Sequence, residues 1–164
     1  MGNFFEGVIQ QDSRFHSMQP VNDPMLLEPK TRAAVDAIIA DAAAHGVALM
    51  IFETYRSQER QALLYSQHVT QLKTVGVHHY GLACDLVKRV NGEPSWKGDF
   101  SLIGQLAKGY GLIWGGDWGR PDIPHSFRDY PHVQRCSIID QAKLFRGEWY
   151  PDDQYDPYRN GAVG

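Results

Sequence analysis

Apolar residues recur along this chain at helical spacing in some stretches and in short extended runs in others, and the changes between them mark out most of the elements. Val35, Ile38, Ile39 and Ala42 lie at helical spacing in an Ala-rich run closed by Gly46, which predicts a helix over about residues 31–45. The apolar run Val47 to Glu53 follows that glycine stop and predicts a buried strand. Ser57 is placed to cap a second helix reaching about Gln67, with Glu59 in its first turn and Leu63 and Leu64 facing inward. Leu82 to Val90 predicts a strand, Asn91-Gly92 a tight turn, and Glu93 to Trp96 the return of a hairpin. Asp99 is placed to cap a third helix carrying Leu102, Ile103 and Leu106, stopped by Gly109 and Gly111. His132 to Cys136 predicts a further strand, and Ser137 with Asp140 a capping box for a last helix to about Phe145.

Outside these elements, residues 1–29, broken by Pro20, Pro24 and Pro29, predict an extended lead-in packed on a domain spanning 30–147, with a polar, loosely held tail over 148–164. Leu112 to Gly119 gathers two Trp and three Gly around Asp117 and predicts a tight loop beside a binding surface. A length of 164 residues suits one domain, and 43% hydrophobic content with 16 Gly and nine Pro in no fixed period excludes fibre and whole-chain disorder. The net charge of −3 provides no positive field to gather phosphate backbones, so no nucleic-acid partner is expected. Apolar runs such as Val47 to Phe52 are far too short to cross a bilayer, so no membrane insertion is expected either. The amino end lacks a basic segment followed by an apolar one, which predicts synthesis in the cytoplasm without a signal peptide. Cys84 and Cys136 are too few for a disulfide framework and have no CxxC spacing.

Charge inside the apolar pattern points to the chemistry. Asp85 interrupts a strand that is otherwise apolar, where an unpaired carboxylate is costly, so a cation or hydrogen-bond donors must compensate it. His78, across a bend that Gly81 permits, can return close enough to share a metal ion with Asp85. A second cluster runs Asp129-Tyr130-Pro131-His132-Val133-Gln134, in which His132 and Gln134 share a strand face and Asp129 sits just ahead. Two His and one Asp form a three-ligand zinc set with an open fourth position, and a further carboxylate supplies a general base for metal-assisted hydrolysis. Spacing alone leaves a plainer reading open, that of ordinary hydrogen-bonded surface groups.

Neighbouring residues carry similar pairs of readings. His79 is expected to face away from His78 in a surface or supporting role, and His16, His45, His68 and His125 read as surface or turn residues. Cys136 shares strand parity with His132 and reads as a buried, inert thiol. Trp114 and Trp118 read equally as stacking platforms or packing anchors, Asp117 as a brace bonding neighbouring amides, and Arg56 as a partner of Glu53 or Glu59.

The run His78-x-x-Gly81-x-Ala83-x-Asp85 with Asp129-x-x-His132 downstream resembles the zinc peptidase family of D-Ala-D-Ala carboxypeptidases and L-alanyl-D-glutamate endopeptidases, which includes many phage endolysins. The resemblance spans about residues 27–136 and takes in Tyr55-Arg56-Ser57 and the loop Trp114 to Trp118. It implies an α+β fold, a single domain with a central antiparallel sheet flanked by helices as in hedgehog and DD-peptidase domains. It further implies one zinc ion held by His78, Asp85 and His132, Asp129 as catalytic acid/base, and Arg56 at the substrate as an oxyanion or carboxylate partner. Gly76 stands where the family often has Ser, and Thr54 where it often has Gly; neither change removes a ligand. Asp129 in place of Glu, together with the Trp loop, looks like the endolysin branch and implies a monomer that cleaves peptidoglycan stem peptides. Trimming of the stem terminus as a D-Ala-D-Ala carboxypeptidase, and a non-catalytic zinc-bearing wall-binding module, are the alternatives. Action on the wall would then follow release through a holin-like pore, a secretion machine or a phage particle.

Overall fold

The computed structural model describes residues 2–70, 72, 74–119 and 128–159. Its centre is an antiparallel sheet of five strands: β1 (Leu49–Glu53), β2 (Ala83–Val90), β3 (Glu93–Ser95), β4 (Ile113–Trp114) and β5 (His132–Gln134). The order is β1-β2-β5-β4, with β3 paired to the far half of β2. Lys88 pairs with Leu49 on one side and Ser95 on the other, so β3 and β5 share one edge of the long strand β2.

Strand alternation divides β2 between two environments. Cys84 and Leu86 join Val133, Leu49 and the apolar stripes of the first and third helices, α1 (Pro29–Ala44) and α3 (Ser101–Gly109), in the main core. Asp85, on the opposite parity, lines a groove. A second core packs Tyr80, Leu82 and Ala83 against Cys136 and Leu144 of the last helix, α4 (Ile138–Phe145). The α+β architecture with an antiparallel sheet and flanking helices is therefore as the resemblance implied.

Several local expectations are met at their chemistry. Ser57 caps α2 (Gln58–Ser66), its hydroxyl accepting from the Arg60 amide at 3.0 Å. Asn91 and Gly92 both take positive φ, 53° and 80°, as the two-residue hairpin turn requires. Others are shifted. Asp99 accepts from the Ser101 amide at 2.8 Å, but the cap position of α3 belongs to Phe100, so the aspartate braces the approach to the helix. In α2, Gln61 is buried beside Leu64, while Leu63 is only half-buried. The stretch read as a loop contains the short strand β4, because Ile113 and Trp114 pair with Gln134 and Val133.

The described parts of the lead-in and the tail, residues 2–29 and 148–159, are both fixed to the domain. The lead-in forms a turn of π-helix at Phe5–Ile9 where little regular structure was expected, and buries Ile9 against Tyr55 and Leu26. Tyr55 donates to the Phe15 carbonyl at 2.6 Å and Ser57 to the Ser17 carbonyl at 2.5 Å, fixing the lead-in on the domain. Over residues 148–159 the tail is fixed through aromatic hydroxyls rather than held loosely. Tyr155 Oη accepts from the Ser137 amide at 2.9 Å and donates to Asp140 at 2.8 Å, supplying the arm of the capping box that Asp140 does not make itself. Tyr150 and Tyr158 donate to the carbonyls of Tyr80 and Leu112, each at 2.8 Å.

Candidate active site

Asp85 stands at the middle of a cross-strand row. Its backbone is opposite Glu53 on β1 and His132 on β5, and residues so opposed in an antiparallel sheet project from the same face. His78 arrives from outside the sheet, on a short 3-10 turn at Val77–Tyr80 that ends at Gly81 with φ of 74°. A side chain at Gly81 would strain that backbone, and its Cβ would lie 2.6 Å from Ile9 Cδ1 and 2.9 Å from the Leu26 carbonyl. Glycine thus lets the chain reverse tightly enough to bring His78 back onto Asp85.

Each imidazole is fixed by a bond on its far side. His78 Nδ1 lies 2.8 Å from the Thr54 carbonyl, which can only accept, so Nδ1 carries a proton and Nε2 faces Asp85 Oδ1 at 3.2 Å. Gln134 donates its amide to the carbonyl of Cys136 at 2.6 Å and to Gln141 Oε1 at 3.0 Å. Its own carbonyl is thereby aimed at His132 Nε2, 2.7 Å away, leaving His132 Nδ1 to face Asp85 Oδ1 at 3.3 Å. The three ligand atoms lie within 4.8 Å of one another and can hold a metal ion. Tetrahedral zinc with ligands at about 2.0–2.1 Å needs them about 3.3 Å apart. Asp85 Oδ1 stands at that spacing from both imidazoles, 3.2 Å from His78 Nε2 and 3.3 Å from His132 Nδ1, and the chemistry of the donor set fits zinc.

The electrostatics are those of a concentrated, buried cluster. Burial pushes the Asp85 carboxyl up, but His78, His132 and Arg56 outweigh it and hold the group well below the usual carboxylate range. Burial likewise lowers His132, yet the bond to Asp85 and the charge of Asp129 leave it raised. Asp129 is raised by burial and by the negative charge of Asp85. Its backbone is held against the Trp loop: the Asp129 amide donates to the Gly115 carbonyl at 3.0 Å, and a Cβ on Gly115 would lie 2.2 Å from the Asp129 carbonyl oxygen.

Arg56 takes Glu53, one of the two acidic partners expected for it, and also reaches Asp85. Nη2 is 2.8 Å from Glu53 Oε1 and 3.3 Å from Asp85 Oδ2, so its ion pair with Glu53 is itself part of the site. Arg60 and Gln61 were not singled out from sequence, and Glu53 only as a partner for Arg56. Glu53 is 1% exposed and carries Arg60 as well as Arg56, which hold its carboxyl below the ordinary range despite burial. The signal that could have found it was a carboxylate closing the apolar run before Tyr55-Arg56.

The groove holding these groups measures about 1180 Å³ and is also lined by Leu64, Val69, Leu72, Phe52 and Trp96. Trp114 donates to the Tyr130 carbonyl at 2.7 Å, which is the anchoring role, and the Trp118 ring packs 4.8 Å from that of His132. Asp117 faces Lys108 Nζ at 3.7 Å instead of bracing the Trp118 amide, which donates to the Gly115 carbonyl. His79 is buried, correcting the surface half of its reading; it supports the site through Nδ1, 3.2 Å from the Arg56 carbonyl. His16 and His45 are exposed, His68 sits in a turn, and His125 lies outside the described residues. Cys84 and Cys136 are buried free thiols, and burial pushes Cys136 up to about 12.

Fold and site together define a metallopeptidase, with a groove whose floor can hold one metal ion and whose wall carries a carboxylate and an arginine. The family described as D-alanyl-D-alanine carboxypeptidase matches residues 70–135, the stretch that contains His78, Asp85, Asp129 and His132. The chain is 32% identical over 142 residues to the peptidoglycan L-alanyl-D-glutamate endopeptidase CwlK of Bacillus subtilis (strain 168), covering 73% of this chain and 81% of that one. It is 30% identical over 112 residues to the L-alanyl-D-glutamate peptidase of Listeria phage A118, covering 66% of this chain and 37% of the phage protein. The Serratia marcescens L-Ala D-Glu endopeptidase ChiX shares the fold, with a TM-score of 0.53 at 22% identity over 72% of this chain and 90% of that one. The chain belongs to this family of peptidases, family M15.

Proposed function

We propose that the chain is a zinc-dependent peptidoglycan hydrolase that cuts the stem peptide between L-alanine and D-glutamate. The observation that carries this reading is the convergence of His78 Nε2, Asp85 Oδ1 and His132 Nδ1 within 4.8 Å, each imidazole fixed from behind. The choice of bond is supported by relatives named for it, including one of which this chain covers 81%.

His78, Asp85 and His132 would hold the zinc ion, which would supply Lewis acidity and a water activated near neutral pH. Asp129 takes the proton as the scissile carbonyl is attacked and returns it to the leaving amine. Its raised pKa suits that exchange better than an ordinary carboxylate would. Arg56 places a fixed positive charge at the groove, where it stabilises the oxyanion or clamps a substrate carboxylate. Among the described residues no helix is long and apolar enough to cross a membrane. The protein acts on the wall as a monomer.

The test is mass spectrometry of muropeptides after digestion with the zinc-loaded protein. Stem peptides released with a new D-glutamate amino end support the reading. Loss of a terminal D-Ala alone would make the chain a carboxypeptidase, and tight wall binding without new amino groups would make it a binding module.

A further inference from the structure

We propose that Glu53 is a positioning residue of this site: by holding the Arg56 guanidinium it leaves the Asp85 carboxylate available to a metal ion, an inference that rests on the metal reading above. The pairing register of β1 breaks between Ile51 and Glu53, so that Phe52 and Glu53 both line the groove although they are neighbours on a strand. Glu53 thereby comes to lie beside Asp85 with Arg56 between them. The same Nη2 atom reaches Glu53 Oε1 at 2.8 Å and Asp85 Oδ2 at 3.3 Å, so two carboxylates share one end of a guanidinium and Glu53 has the shorter contact.

Geometry and charge act in the same direction. Glu53 engages Arg60 through Nε at 2.5 Å and Nη2 at 3.3 Å, while Gln61 Oε1 accepts from Arg56 Nη1 at 3.3 Å. These bonds tether Arg56 from the side of α2, away from the histidines. Arg56 Nε is buried and has no hydrogen-bond partner among the described residues, so the guanidinium is held by Glu53 and Gln61 and is not saturated by protein. Without the Glu53 charge, Asp85 is the nearest remaining carboxylate for Arg56. The guanidinium would then compete with a metal ion for Asp85, next to a second arginine left uncompensated.

Zinc affinity, measured by competition with a chromogenic chelator, tests this on the full chain and its E53Q, R56Q and E53Q/R56Q variants, with thermal unfolding followed in parallel. E53Q is expected to weaken zinc binding about 10–100-fold, as loss of an outer partner of a metal ligand does. In the double variant the competing cation is gone, and affinity is expected to return to within about twofold of R56Q alone. A merely structural Glu53 would show no such dependence on Arg56. Should E53Q not fold, Glu53→Asp keeps the charge but shortens its reach, and a smaller loss with the same dependence on Arg56 is expected. Unchanged affinity in the Glu53 variants, or a loss that removing Arg56 fails to reverse, overturns the proposal. A wild-type chain that binds no zinc would instead overturn the metal reading itself.

Discussion

His78 and His79 are adjacent in one short turn and end in opposite surroundings. His78 faces a carboxylate, a carbonyl and a second imidazole. His79 sits among the rings of Phe5, Phe15, Tyr55 and Tyr80, at centroid distances of 5.2, 5.5, 5.7 and 5.2 Å. Burial therefore does not distinguish a proposed ligand from a packed histidine; what lies across from each ring does. On the first side the neighbours hold a proton on Nδ1 and turn Nε2 towards a carboxylate. On the second they offer apolar surface, and burial lowers the imidazole pKa.

The largest test of this contrast falls on the polar side. His78→Ala is expected to abolish both zinc binding and wall lysis, whereas Asp129→Ala keeps one zinc per chain and loses about 10²–10⁴-fold in turnover. Metal analysis beside a turbidity assay separates the two. Gly81→Ala attacks the turn that serves both rings. Its positive φ and the crowding against Ile9 and Leu26 are expected to cost about 2–4 kcal/mol in denaturant unfolding, a structural loss shared by both sides. Gln134→Ala releases His132 from behind and is expected to weaken zinc about 10–100-fold, and to cost about 1–3 kcal/mol of stability because its buried partners at Cys136 and Gln141 are left unpaired.

Smaller effects belong to the aromatic side. His79→Phe is expected to leave turnover unchanged and to cost about 1 kcal/mol for the lost bond to the Arg56 carbonyl. A fall in turnover matching that of His78→Ala would erase the contrast. Smallest is an acid effect on the lead-in. Its hydrogen bond from Arg14 lowers Asp12 from 3.8 to about 2. The contribution is fully present above the unfolded value and is lost as pH falls through the folded one. Solvent screening keeps it slight. Native-state hydrogen exchange between pH 4 and 2 is expected to show the lead-in loosening before the sheet.

The sequence carries the proposed ligands more clearly than their supports, for a physical reason. Asp85 stands out as a charge in an apolar run with His78 across the permissive Gly81, and His132 through its spacing from Asp129. Glu53, Arg60 and Gln134 act through contacts with residues two to seven positions away, and that spacing does not show which way each side chain turns, such as the Gln134 carbonyl towards His132. The helices were legible within a residue or two, since each has an apolar stripe and a stop signal. The firm tail was not, because its hold comes from tyrosine hydroxyls bonding carbonyls and caps far away in sequence. The strand β4 was hidden by its length, two residues that pair only because β5 lies beside them.

The most direct measurement is X-ray absorption at the zinc edge of the loaded protein. The account requires one zinc per chain with nitrogen and oxygen neighbours at about 2.0–2.1 Å, two of them imidazoles. Sulfur neighbours at about 2.3 Å, or a shell without imidazole scattering, would contradict it.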